Sequence, residues 1–429
     1  MNLEALVARL RSADPQAHPA LDAKLRWMLL DTWGCVVAGS QAAPVAALAC
    51  QLAPPPQPGS LLEGGGAGSP QARALWLAMA ACWDEACEGH AGAHGRPGVA
   101  ALAALLPVAG GLRWGEFRRA LLVGYEVGAR MGAALRIRRG MHVDGNWPAL
   151  GAAAAVATAM GLDDAGVATA IRLAACQMPL SLYRPVQTGD TARNTYLGHA
   201  AALGQFAALG AASGLTAPQD AVDAYAQVGL GHAAVSLDES PAFHVLDAYF
   251  KPYAAVRHVH YGAWAASLLR EDLGGRQPVA IALEVYEEAT VYCGNRQPRT
   301  PLQAQFSLSF GIAAMLRWGR LDPWVYRDPQ FHDERLRALE AMVTVSVHPQ
   351  WTAAQRRGAV LTLTLDDGTV LRREVTAVAG DPAMPLPEAD LRGKFLAYCD
   401  SGGQAGAAQR WLDRVLGATP ATPMAAIGL

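Results

Sequence analysis

Ionisable side chains are sparse in this 429-residue sequence, and those able to do chemistry gather in four short stretches. The first, Cys82 to Gly98, sets Asp84, Glu85, Glu88, His90, His94 and Arg96 among glycines. A carboxylate and imidazoles held on such a break between two alanine-rich helices can share proton transfer. The plain alternative has Asp84 capping a helix and the histidines facing solvent. The second stretch, Arg136 to Trp147, puts Arg136, Arg138 and Arg139 ahead of His142. Guanidinium pairs carboxylate through two parallel hydrogen bonds, so this order suits a carboxylate-bearing substrate. A solvated helix end with favourable cations is the competing account, and it suits Arg138 and Arg139 better than His142.

In the third stretch, Tyr183 to His199, Arg193 precedes a glycine-containing helix by about one turn. A cation there opposes the helix macrodipole unless an anion compensates it, which marks Arg193 as a candidate binding residue, with a merely solvated arginine the commoner outcome. The fourth, Phe250 to His260, sets Lys251 between Phe250 and Pro252, with Arg257 and His260 following. A buried Lys251 would have a lowered pKa and move protons near neutrality, whereas an exposed one would only snorkel. A different class of chemistry is also open, because His90-x3-His94 and His258-x-His260 are permissible spacings for a divalent metal in a hydrolase. The four-residue step matters only on a helix, and Gly89, Gly92 and Gly95 argue for a loop, so no metal is expected. The cysteines offer no cluster spacing for iron and sulfur, and no cofactor is expected.

The elements that must position these residues change character along the chain. Leu25, Met28, Leu29, Trp33 and Val36 recur at helical steps, predicting an amphipathic helix with Asp22 as its cap. The same alanine, leucine and glycine texture returns at Trp114 to Met131, Ala149 to Met160, Ala165 to Gln177 and Tyr196 to Ser213, which predicts helices throughout from Leu3 to about Trp264. Pro54 to Gly68 is rich in breakers and reads as a surface loop. Beyond Gly274, Ile281 to Tyr286 and Val343 to Val347 read as strands, and Val360 to Leu365 with Val370 to Val375 as a hairpin around Asp366-Asp367-Gly368. Gln303 to Arg317 between them reads as a helix. The expected fold is mainly α, with a large all-helical domain over residues 1–268 and 400–429 and a smaller α+β domain over 269–399.

Composition narrows the function. With 35 Lys+Arg against 37 Asp+Glu the net charge is −2, which leaves no general field for a polyanion, so nucleic acid is not an expected partner. A 52% hydrophobic share excludes disorder. No run of apolar residues is long enough for a transmembrane helix, and the first forty residues lack the layout of a signal peptide, so a cytoplasmic chain without membrane contact is expected. Seven scattered cysteines argue against a disulfide framework.

Taken in order, the motifs Asp31 to Gly39, Gly124 to Arg130, Gly198 to Pro218, Lys251-Pro252-Tyr253 with His260, Ala304 to Ser307, and Gly393-Lys394-Phe395 resemble the MmgE/PrpD family. That family includes 2-methylcitrate dehydratase, iminodisuccinate epimerase and cis-aconitate decarboxylase. The resemblance implies an all-helical domain plus a smaller α+β domain, a homodimer, and an active site between the domains for small polycarboxylates. By motif, Asp84, His94, His142 and Lys251 look like the family's catalytic residues, with His90 an alternative to His94. Departures are visible: His94-Gly95-Arg96-Pro97 and His142-Val143 stand where the family has His-Pro, Arg193 where it often has lysine, and Phe310 where it commonly has tyrosine. The shared chemistry removes a proton next to a carboxylate or imine, then loses water, loses CO2 or reprotonates the other face. The resemblance thus implies a dehydratase-type lyase, with epimerase, isomerase or decarboxylase as alternatives on the same scaffold. His142 or His94 would serve as base or acid, Lys251 as donor or anion stabiliser, and Asp84 as an orienting group. Arg136, Arg193, Arg257 and His260 would bind the substrate. A protein that binds anions without catalysis is the remaining alternative, suggested by Arg193 and Phe310.

Overall fold

A computed structural model describes residues 2–52, 68–232, 235–354 and 356–429. Except for Gly68, the loop expected at Pro54 to Gly68 lies outside the described residues. The chain is mainly helical, with a four-stranded sheet confined to its later part.

The helix Pro148–Ala159 sits at the centre of the bundle, buried along nearly its whole length. Helices Pro97–Leu105, Trp114–Ala134, Asp164–Ala175 and Tyr196–Ala212 pack around it. Alanine and glycine make this possible, because small side chains let backbones approach. A Cβ on Gly151 would lie 2.6 Å from the Gly124 carbonyl oxygen. The helix Pro19–Gly39 is also interior. Leu25, Met28, Leu29 and Val36 are buried as their spacing predicts, but so are Trp27, Leu30, Cys35 and Val37 on its other faces, so the helix is not amphipathic. Asp22 does not cap it: Pro19 opens the helix, and Asp22 in the first turn pairs with Arg26 at 2.8 Å and with Arg118. No single described helix is long and apolar enough to cross a membrane.

The helical run is interrupted by two short strands, Gly89–His90 and Ala248–Tyr249, which pair antiparallel. Periodicity could not reveal them, since a two-residue strand has no period. The expected helix at Gln303 to Arg317 is two helices, Pro301–Gln305 and Leu308–Trp318, broken where the Ser307 hydroxyl accepts from the Phe310 N–H at 3.2 Å.

The sheet runs in the order Val343–Val347, Pro278–Val285, Ala359–Leu365, Val370–Val375. The first two strands are parallel, with Ile281 opposite Val343, and the helices between them supply the crossover such a pair requires. The hairpin forms as its turn chemistry predicts, with Gly368 at φ 83°. Packing groups two helices differently from texture. Arg257–Asp272 lies against the strands Ala359–Leu365 and Val370–Val375, while Glu388–Ser401 packs back on Pro19–Gly39. Both move across the expected boundaries because which apolar face meets which neighbour is a tertiary property.

Candidate active site

The first chemical stretch begins where the helix Pro70–Cys82 ends. Glu85 then adopts φ 54°, a left-handed conformation that is costly for a residue with a side chain. The turn aims its carboxylate inward, where it meets three cations. Arg96 Nη1 lies 2.9 Å from Oε2, Lys251 Nζ 2.7 Å from Oε1, and Arg193 Nη2 also bonds Oε2. Lys251 donates a second bond, 2.9 Å, to the Glu85 carbonyl. Asp144 extends the network, pairing with Arg96 and lying 3.4 Å from Arg193. Burial alone would raise the Glu85 carboxyl, but Arg193, Arg96 and Lys251 reverse this and hold it well below the usual carboxylate range. Burial pulls Lys251 the other way, below its ordinary range, against the attraction of Glu85.

His142 stands over this network, stacked on Tyr183 with ring centroids 5.8 Å apart. Its Nδ1 accepts the Asp144 N–H at 3.2 Å, so the neutral ring carries its proton on Nε2. Burial pushes its pKa down to about 4, with Asp144 opposing. At neutral pH, His142 is therefore an uncharged donor. His90 has the same arrangement, its Nδ1 accepting the Ala93 N–H at 3.0 Å. His94, four residues on, is in the left-handed region at φ 55° with its side chain partly open to solvent at the cavity. Its ring makes no hydrogen bond within the described residues, and loss of solvent together with the charges of Arg136 and Arg357 lowers it to about 4. A free, neutral imidazole is the form a base needs.

These groups line one cavity of about 330 Å³, within the size range of small-molecule sites. His94, His142, Lys251, Arg136, Arg193 and Arg257 all face it. Six cations, the four just named plus Arg96 and Arg357, meet three carboxylates, Glu85, Asp144 and Glu288. Apolar groups including Leu135, Met141, Val143 and Trp147 complete the wall.

Asp84 and His260 are not in that wall. Asp84 is buried on the other side of the turn, its carboxyl pushed up to about 6 by burial with Arg327 and Asp322 as charged neighbours, and its Oδ2 has no partner. Among the described residues no hydrogen bond joins it to an imidazole; Asp144 is the acidic residue beside His142. His260 lies behind Arg257, with Nδ1 3.2 Å from Arg257 Nη1 and Nε2 3.0 Å from the Ala255 carbonyl. Arg257 itself pairs with Asp381. Phe310 is wholly buried against Tyr326, away from the cavity, and the phenols at the wall are Tyr183, Tyr249 and Tyr292. Among the described residues, no three His, Cys, Asp or Glu side chains converge as a metal site would require.

Sequence reasoning passed over Glu85, Asp144 and Arg357. Glu85 sits next to Asp84, and only the backbone turn decides which of two adjacent carboxylates faces inward. Asp144 left a usable signal, two residues beyond His142. Arg357 left none, lying far along the chain before the strand Ala359–Leu365.

Residues 2–240 match the MmgE/PrpD N-terminal domain and residues 253–417 the MmgE/PrpD C-terminal domain. No curated protein matches the chain.

Proposed function

Since this chain belongs to the MmgE/PrpD family, a family of dehydratase and lyase type, we propose that it is a dehydratase-type lyase that removes a proton next to a carboxylate of a small di- or tricarboxylate. The cavity lining supports this most directly, since an excess of cations around neutral imidazoles, His94 and His142 among them, suits an anionic substrate whose carbon acid must be deprotonated.

In this reading His94 takes the proton from carbon. The electron pair of the broken C–H bond becomes the new C=C bond as the neighbouring C–O bond breaks. The departing hydroxyl takes the proton of His142 Nε2–H and leaves as water, and the proton gathered by His94 then restores His142 to its neutral form. Lys251, held by Glu85 through two of its three N–H groups, directs its ammonium charge at the carboxylate beside the reacting carbon, where negative charge builds as the C–H bond breaks. Arg193 and Arg96 supply fixed positive charge behind it. Epimerisation and decarboxylation remain alternatives on the same groups: the first needs reprotonation on the opposite face, and the second needs loss of CO2 at the carbon where charge builds.

Incubation with a panel of di- and tricarboxylates in heavy water tests this. The expected outcome is loss of water from one of them, and deuterium in recovered substrate if the first step reverses. Inverted substrate carrying deuterium would transfer the reading to an epimerase, and CO2 release to a decarboxylase. His142→Ala and Lys251→Gln should each lower turnover by about a hundredfold or more while remaining folded. Binding without exchange or turnover across the panel would mean a protein that only holds anions.

A further inference from the structure

The cations around the cavity differ sharply in how they are satisfied. Arg96, Arg193 and Lys251 are buried and tied to Glu85, with Arg96 and Arg193 also reaching Asp144. Arg257 is held by Asp381 and His260. A ligand carboxylate could recruit any of these only by breaking a buried pair, which leaves the abandoned carboxylate uncompensated.

Two cavity arginines stand outside these pairs. The Arg136 guanidinium is exposed and has no hydrogen bond or ion pair among the described residues, while its carbonyl is fixed by His232 Nε2 at 2.7 Å. Arg357 has one acidic partner, Glu288, at 3.4 Å, and both side chains are partly open to solvent at 25% and 40%. Such a pair is weak, and a well-aligned ligand carboxylate would displace it. The two arginines come from opposite parts of the fold. Arg136 follows the helix Trp114–Ala134, and Arg357 leads into the sheet strand Ala359–Leu365.

We propose that Arg136 and Arg357 form a two-sided clamp for one substrate carboxylate beside His94. The proposal rests on the polycarboxylate reading above and adds the residues that grip the substrate. It also has a consequence for the base. Besides burial, Arg136 and Arg357 are the two leading influences that lower His94. A carboxylate bound between them cancels part of their field, so His94 becomes a stronger base only when the substrate is in place.

Calorimetric binding of propane-1,2,3-tricarboxylate, which has no hydroxyl to lose, to the full chain tests the clamp without turnover. Arg136→Gln and Arg357→Gln should each weaken it roughly tenfold. The double variant should lose less than the product of the two, because both grip one group. Glu288→Gln, which frees Arg357, should bind at least as tightly as the natural protein. Titration of the His94 ring by NMR should shift upward when the tricarboxylate is added, and the shift should vanish in the double variant. Wild-type affinity in Arg357→Gln, fully additive losses in the double variant, or an unmoved His94 would overturn the clamp. Clamp behaviour without proton exchange on any substrate would instead sink the lyase reading alone, and a natural protein that binds no di- or tricarboxylate would sink both.

Discussion

Glu85 carries the site because one buried carboxylate meets three cations. In water each of those pairs would be worth little, but once Arg96, Arg193 and Lys251 are buried, removing their shared partner strands like charges together. Glu85→Ala should therefore cost about 3–5 kcal/mol of stability, measured by urea unfolding. A loss below about 1 kcal/mol would mean that the three cations find other partners or water. The same network explains why Arg193 tolerates a helix start. The compensating anion that its position demands is the protein's own Glu85 rather than a ligand. Hydrogen bonding also separates the two key histidines: the Asp144 N–H fixes the proton of His142 on Nε2, while no hydrogen bond among the described residues fixes the tautomer of His94.

Between elements, small residues set the distances on which the site depends. The helices Trp114–Ala134 and Pro148–Ala159 touch through Gly124, Gly128 and Gly151, and their ends deliver Arg136 and His142 to the cavity. An added methyl at Gly151 would gain about 1 kcal/mol from helix propensity. It would also meet backbone at 2.6 Å and 3.0 Å, which no side-chain rotation relieves. Gly151→Ala should thus be destabilising by a net of roughly 1–3 kcal/mol in chemical denaturation, and a stabilised variant would show that the helices can part without cost. The Gly124 to Arg130 motif does further work on the outer side. Glu126 accepts the Val245 N–H at 2.8 Å, and Arg130 donates to the carbonyls of Asp238, Ser240 and Ala242 at 3.0, 3.1 and 2.8 Å. Together they fasten the segment that leads into Ala248–Tyr249 and so to Lys251.

Across the whole molecule, burial of ionisable groups gives stability a dependence on pH from both sides. His142 and His258 are lowered to about 4 and about 3 by burial, so the unfolded chain takes up protons first as pH falls below about 6.5. Their contribution is present above that value and is lost on acidification. Glu88 works in the opposite sense. Burial pushes it up to about 8, and its Oε1 accepts the Gly98 N–H at 2.8 Å and the Val99 N–H at 3.2 Å at the start of the helix Pro97–Leu105. Its folded pKa lies above its unfolded value, so its contribution is full below the unfolded value and is lost as pH rises through about 8. Within that window the slope reaches about 1.4 kcal/mol per pH unit. Glu88→Gln keeps the oxygen and removes the titration. Thermal unfolding of this variant between pH 6 and pH 9 should show a flatter alkaline decline than the natural protein, and parallel curves would mean that Glu88 ionises freely in the fold.

The amino-acid sequence alone determined the helical class, the hairpin at Gly368 and the stretches from which the site is drawn. Those features are local: periodicity, turn chemistry and the clustering of charge are written in neighbouring residues. It also carried the family, through motifs in order. What only the tertiary structure decided is which side chains in those stretches face one another. The turn at Glu85 turned Asp84 away and put its neighbour among three cations, and Arg257 placed His260 behind itself. Arg357 reached the cavity across more than two hundred residues from Arg136. Such placements depend on backbone direction and on burial shared between distant segments, and no spacing along the chain encodes either.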